Sequence, residues 1–139
     1  KPGLGYWVHV KQSGSIPLSV QSISCPGTPT VTYGGKTYNT VQIENQCWLK
    51  ENLDVGTMIQ GTDTSKDNGL IEKYCYNNDP ANCTTYGGLY QWNEAMQYAI
   101  TPGSQGICPA GFHIPTHAED STLSAIVGGD VCSPVKVAG

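Results

Sequence analysis

Six cysteines, Cys25, Cys47, Cys75, Cys83, Cys108 and Cys132, constrain this chain more than any other feature. An even set of thiols spread along a short sequence has two ordinary explanations, a disulfide framework or a structural metal site. Structural zinc sites bring their cysteines in closely spaced pairs. The tightest pair here, Cys75 and Cys83, is much wider than that. The set therefore reads as disulfides, and disulfides persist in oxidising compartments outside the cytosol. Composition agrees with that placement. Charged residues make up 13% of the chain, against roughly a quarter in ordinary soluble domains. Glycine (17) and tyrosine (8) are abundant instead. A secreted protein, extracellular or on a cell surface, is the expectation, with no metal and no cofactor.

Charge and pattern exclude several function classes. A net charge of −4 over 139 residues supplies no basic footprint for nucleic acid. No apolar run approaches the ~20 residues of a membrane-spanning helix. The G-x-S-x-G elbow, the phosphate-binding G-x-x-x-x-G-K-[ST] loop and the H-E-x-x-H zinc motif are all missing from the sequence. His117, Asp120 and Ser121 are neighbours on one helical turn, which is not the geometry of a catalytic triad. The chain is not expected to be an enzyme.

Along the chain, residues 1–27 read as a β arm or the tail of a preceding domain. Gly5–Val10 and Ile16–Val20 are short alternating stretches around the turn Gln12–Ser15, a hairpin whose side chains Tyr6, Trp7, Val8, Val10, Ile16 and Leu18 need something to pack on. Residues 28–139 form the second unit. Val31–Ile43 is a hairpin about Gly34-Gly35, Gln46–Leu53 carries an aromatic anchor in Trp48, and Gly56–Gly69 is a long polar loop. Leu70–Trp92 reads as short strands and turns, with Asn77-Asn78-Asp79-Pro80 as turn chemistry. Two short helices come late. Asn93 caps Glu94–Ala99, which Pro102-Gly103 ends. Thr116 and Glu119 form a capping box for a second helix, with Leu123, Ile126 and Val127 at helical spacing and Gly128-Gly129 as its stop. Strands, two helices and many turns make the fold class α+β, a small disulfide-stapled mixed domain.

Three stretches carry a family resemblance: YGGKTYNTVQIENQCWLKENLDVGT (33–57), YCYNNDPANCTTYGGLYQWNEAM (74–96) and GICPAGFHIPTHAE (106–119). Together they resemble the Fibrobacter succinogenes major paralogous domain of bacterial surface and secreted proteins, over residues 31–120. The resemblance implies no enzymatic activity. The pairing of YQWNEAM with GFHIPTHAE also resembles C-type-lectin-like folds, at the level of the fold alone. Departures are visible: Phe112 stands where the family usually has Trp, Asp120 where it has an aromatic, and Glu44 where it has Gly. The family continues past the second helix, so this domain is expected to be cut short at its C-terminal side.

The candidate residues follow. Cys75–Cys83 is the first pairing expected, since it closes a short loop around Asn77–Pro80. Cys47–Cys108 would then tie the first sheet to the entry of the last helix, and Cys25–Cys132 would clamp the arm. Trp48, Tyr90 and Trp92 are candidate ligand-facing aromatics, weighed against a role as core, which small β-rich domains demand of such residues. Asn82-Cys83-Thr84 is a glycosylation sequon and Asn82 its candidate acceptor. The oxygen-rich stretch Asp63–Gly69 matches a calcium loop poorly, with Asn68 and Tyr74 where glycine and glutamate belong. His113 and His117 are four apart, but Pro115 keeps them off a shared helix face. Two functions remain: a structural or adhesive surface protein that self-associates as a homopolymer, with the arm completing a neighbour's sheet, or a lectin-like module that binds surface glycans or protein.

Overall fold

The computed structural model describes residues 23–127. The arm from Tyr6 to Leu18, the Gly128-Gly129 stop and Cys132 lie outside the described residues. The chain is built on a three-stranded antiparallel sheet in the order β1 (Thr30–Tyr33), β2 (Lys36–Ile43), β3 (Gln46–Leu49). Tyr33 pairs with Lys36 across Gly34-Gly35, and both glycines have positive φ, 58° and 79°. That is the two-residue turn whose twist matches the flanking strands. The second hairpin is just as tight, with Ile43 opposite Gln46. Its first turn residue, Glu44, sits at φ 52°, a backbone region that favours glycine.

The stretch ahead of β1 runs along the other edge of β2. Gln42 N–H donates to the Ile23 carbonyl at 2.8 Å and Thr40 N–H to that of Pro29 at 3.1 Å. Thr40 is buried, and its hydroxyl donates to the Thr28 carbonyl (2.7 Å) while accepting from Cys25 N–H (3.1 Å). This latch corrects the expected cysteine pairing. Gln42 has Ile23 on one side and Cys47 directly opposite on β3, so the sheet itself brings Cys25 and Cys47 together, and they are bonded. The expected Cys47–Cys108 and Cys25–Cys132 bonds are thereby ruled out.

Beyond β3 two tyrosines clamp the chain. Tyr38 is fully buried and its hydroxyl accepts from Asp54 N–H at 3.0 Å. The Tyr90 hydroxyl accepts from Val55 N–H and donates to the Val55 carbonyl, both at 2.8 Å. Val55, Tyr90, Met96, Ile107, Cys108 and Ile114 form the core, with Tyr33, Leu53, Ile71, Ala95 and Phe112 against it. The loop expected over Gly56–Gly69 is not all loop. It opens with β4 (Thr57–Met58), which pairs in parallel with β5 (Glu72–Lys73). A largely buried Lys73–Asp54 ion pair fastens β5 to the clamped segment.

Helices differ more from expectation. A helical turn, Tyr76–Asn78, with Asn77 and Asn78 both at positive φ, leads into α1 (Pro80–Tyr86), where only strands and turns were expected. The Asp79 carboxylate accepts from Ala81 N–H at 3.0 Å, Pro80 takes the first helical position and Gly87 ends the helix. These are standard start and stop devices. Cys75 and Cys83 are disulfide-bonded around this unit. The next helix, α2, covers only Trp92–Ala95. Gln97 and Tyr98, at φ 48° and 59°, stop it well before Pro102, while the Tyr98 N–H returns to the Asn93 carbonyl at 2.7 Å. The last helix, α3 (His117–Val127), begins as the capping box requires, with Glu119 Oε2 accepting from Thr116 N–H at 2.8 Å. Among the described residues three helices and two small sheets make the fold α+β. Among the described residues no helix is long and apolar enough to cross a membrane.

Candidate functional site: an aromatic groove beside the edge strand

β3 is the last strand of its sheet, and the chain after it, Lys50–Leu53, forms one wall of a groove. The other wall is the segment Ile107–Pro115 with the first turn of α3. Between them lies about 780 Å³, within the range of ordinary ligand sites. Its lining is predominantly apolar, with Trp48, Leu49, Leu53, Phe112 and Ile114 prominent; Lys50, Glu51, Glu119 and Asp120 supply its charged groups, and His113 and His117 its imidazoles.

The wall segment is held rigidly for so irregular a stretch. Ile107 N–H donates to the Ala95 carbonyl at 2.9 Å and Ile114 N–H to that of Ser104 at 3.0 Å. Gly106, at φ 54°, lies so close to Ala95 that a Cβ would come within 2.1 Å of its carbonyl oxygen. Only glycine fits there. At the helix entry the Glu119 carboxylate also meets His113 Nε2 at 2.9 Å. The Thr116 N–H bond, then the contact with His113, holds the Glu119 acid below the usual carboxylate range. Burial pushes the Asp120 carboxyl upward.

The three aromatics singled out from the sequence divide here. Tyr90 is 4% exposed, with its hydroxyl committed to Val55, so it is a core residue. Trp92 is 44% exposed. Trp48 is half-buried, and its indole N–H reaches Gln46 Oε1 at 3.2 Å. Both tryptophans line the groove. Phe112 joins them, noted in the sequence only as a departure from the family pattern. Its place beside Trp48 depends on contacts across sixty-odd residues of chain, which no local signal reports.

The other candidates stand apart. Asn82 lies on α1 with its side-chain amide donating to the Tyr76 carbonyl at 2.9 Å, and the middle residue of its sequon is in a disulfide. In the Asp63–Gly69 loop, Glu72 accepts from Lys66 N–H (2.7 Å) and the Asn68 amide (3.1 Å). Among the described residues no three His, Cys, Asp or Glu side chains converge as metal ligands. Cys108, at the groove, is buried and unbonded within the described residues, and burial pushes its thiol up to about 12.

A family model described as the Fibrobacter succinogenes major domain matches residues 41–133. The chain belongs to this family. The match begins inside β2 and includes β3, both walls of the groove and the whole of α3. Most of the groove lining falls within the matched residues, and Cys25, Pro26 and Thr28 lie ahead of them. No curated protein and no solved structure matches the chain.

Proposed function

We propose that this chain is a non-catalytic extracellular surface module, structural or adhesive in role, that joins other copies through the edge of β3 and the groove beside it. One observation carries the reading. An edge strand stands next to an apolar groove lined by two incompletely buried tryptophans. An open edge offers a row of backbone donors and acceptors to an incoming strand, and alternate side chains of that strand need apolar pockets. The sequence holds a matching donor in the arm, where Tyr6, Val8 and Val10 alternate with other residues. Head-to-tail donation of this kind builds an open filament unless its rotation closes into a ring. The disulfides Cys25–Cys47 and Cys75–Cys83 support use in an oxidising compartment.

Sedimentation and negative-stain electron microscopy of the oxidised 139-residue chain test the reading. Polymers are expected, and Val8→Lys with Ile16→Lys should abolish them while leaving the circular dichroism spectrum unchanged. A chain that sediments as a monomer at every concentration would refute it. A second reading, a glycan-binding module, is favoured by the exposure of Trp92, since flat aromatic faces suit sugar rings. A glycan array with Trp92→Ala as control separates the two.

A further inference from the structure

Lys73 and Asp54 form a buried ion pair that its surroundings leave incomplete. Lys73 stands on β5 and Asp54 in the segment clamped by the two tyrosines, and their side chains are only 13% and 15% exposed. Such a pair gives up the hydration of two charges, a loss repaid only when further hydrogen bonds complete each group. Among the described residues none does. The Lys73 ammonium has three donors and donates to Asp54 Oδ1 alone, and the Asp54 carboxylate accepts from Lys73 alone. Both ends are also fixed in place. The Lys73 carbonyl accepts from Ile59 N–H at 2.8 Å, and its neighbour Tyr74 exchanges both backbone bonds with Leu89. Asp54 N–H donates to the Tyr38 hydroxyl at 3.0 Å, and Val55 beside it is held on both sides by Tyr90. The lysine stem is packed closely as well: a Cβ on Gly88 would meet Lys73 Cδ at 3.1 Å and the Tyr90 hydroxyl at 2.7 Å.

We propose that Lys73 and Asp54 condense into an intramolecular amide bond, a covalent staple between β5 and the segment after β3. The ammonium passes one proton to the carboxylate, which leaves an amine facing a carboxylic acid. The Nζ lone pair attacks Asp54 Cγ and a C–N bond forms. The hydroxyl on Cγ then takes a second proton from the nitrogen and departs as water. Atoms and charges balance within the pair, so the step needs no oxidant and no co-reactant. In bulk water hydrolysis wins over such a condensation. Groups held in reacting geometry gain an effective molarity of up to about 10⁵–10⁸ M, and the small exposure of both side chains restricts the water that would reverse the step.

The product is uncharged, and one amide N–H replaces the three donors of a buried ammonium. The bond closes residues 54–73 into a ring that contains β4 and the Asp63–Gly69 loop. That stretch is then tied to the domain by a link that reducing agents do not open, unlike the disulfides. The inference does not rest on the assembly reading. The staple is a property of the single chain and makes no use of the β3 edge or the groove.

Mass spectrometry of the folded, oxidised full chain, reduced and alkylated just before measurement, reads the result directly. The main species should be lighter than the sequence by one water. Lys73→Arg keeps a cation for Asp54 but replaces the amine nucleophile, and it should show its full sequence mass. Peptide mapping then locates the bond. Trypsin cuts after free lysine but not after an acylated one, so residues 51–66 and 67–136 should appear as one branched peptide. Fragmentation should place the branch on Asp54 rather than Asp63. A chain of full mass that yields 51–66, 67–73 and 74–136 separately would overturn the proposal. A missing water with those peptides still separate would overturn it too, since that marks a cyclic imide within one segment. The same water loss in Lys73→Arg would count equally against it.

Discussion

Glu94 offers the sharpest test of what holds this domain together. It is fully buried and spans two parts of the fold. Its Oε1 accepts from Glu72 N–H on β5 at 3.0 Å and from the Gln97 amide at 3.1 Å, and its Oε2 accepts from the Tyr98 hydroxyl at 3.2 Å. Neither ion pair of the described residues includes it. Replacement by alanine strands the Glu72 N–H and the Tyr98 hydroxyl, while the Gln97 amide keeps its bond to the Glu94 carbonyl; at about 1 kcal/mol for each lost bond, Glu94→Ala should cost roughly 2 kcal/mol, a sizeable part of a ~5–15 kcal/mol total. Glutamine behaves differently. Its carbonyl oxygen keeps both Oε1 bonds, and its amide donates to the Tyr98 hydroxyl, which can reverse its role. The charge-assisted strength is lost, but so is the burial of an ion. Glu94→Gln should therefore remain within about 1 kcal/mol of the parent. Urea unfolding followed by tryptophan fluorescence, with the disulfides oxidised in every variant, measures both. If glutamine proves as damaging as alanine, the negative charge itself is required, and the account of Glu94 as a neutral-compatible acceptor is wrong.

Three further outcomes are expected. Glu44→Gly relieves a positive-φ position, worth about 1–2 kcal/mol for a non-glycine residue. Greater freedom of the unfolded chain takes back ~0.4–1 kcal/mol, so calorimetry should show a small net rise in melting temperature. Tyr90→Phe strands both backbone groups of Val55 and should cost ~2–3 kcal/mol in chemical denaturation, more than Tyr38→Phe, which loses one bond to Asp54 N–H. The Glu119 acid is held below its ordinary value. Its contribution is present above the unfolded carboxylate pKa and is lost as pH falls through the lower folded one. The protection of the Thr116 amide, its exchange rate taken relative to the intrinsic rate at each pH, should fall on acidification through that window, since Glu119 accepts its N–H, and stay constant near neutrality.

Much of the sheet was readable because its signals are local. Gly34-Gly35 between alternating residues permits little but a tight hairpin, and the Thr116–Glu119 box marks a helix start within four residues. The α1 helix carried equally local marks in Asp79, Pro80 and Gly87. They serve equally as turn chemistry, since asparagine and aspartate suit both purposes, and the helix, only seven residues long, offers too few positions for an apolar stripe. The end of α2 departs from its Pro102-Gly103 signal for a different reason. Gln97 and Tyr98 are not residues expected at positive φ, and their conformation is tied to Glu94, whose carboxylate meets both side chains. The Glu94 carboxylate, itself held by Glu72 N–H from β5, makes these local bonds, and propensity does not report them.

The cysteines show the same division at longer range. Cys75 and Cys83 sit in one local unit, so spacing alone pointed to their bond. Cys25 and Cys47 meet only because β2 stands between two neighbours, one of them an irregular stretch held by the Thr40 hydroxyl. Pairing therefore follows sheet register, and register also exposes the site. β3 ends its sheet after one neighbour, which leaves Trp48 and Leu49 facing the Ile107–Pro115 wall across open space rather than a fourth strand. A tryptophan in such a place is neither core nor ordinary surface. Burying the rest of it against a partner would gain at about 25 cal/mol per Å² of apolar area, whereas Tyr90, already enclosed, has nothing further to gain. That asymmetry is the physical reason the proposed function looks to the groove and not to the most buried aromatic.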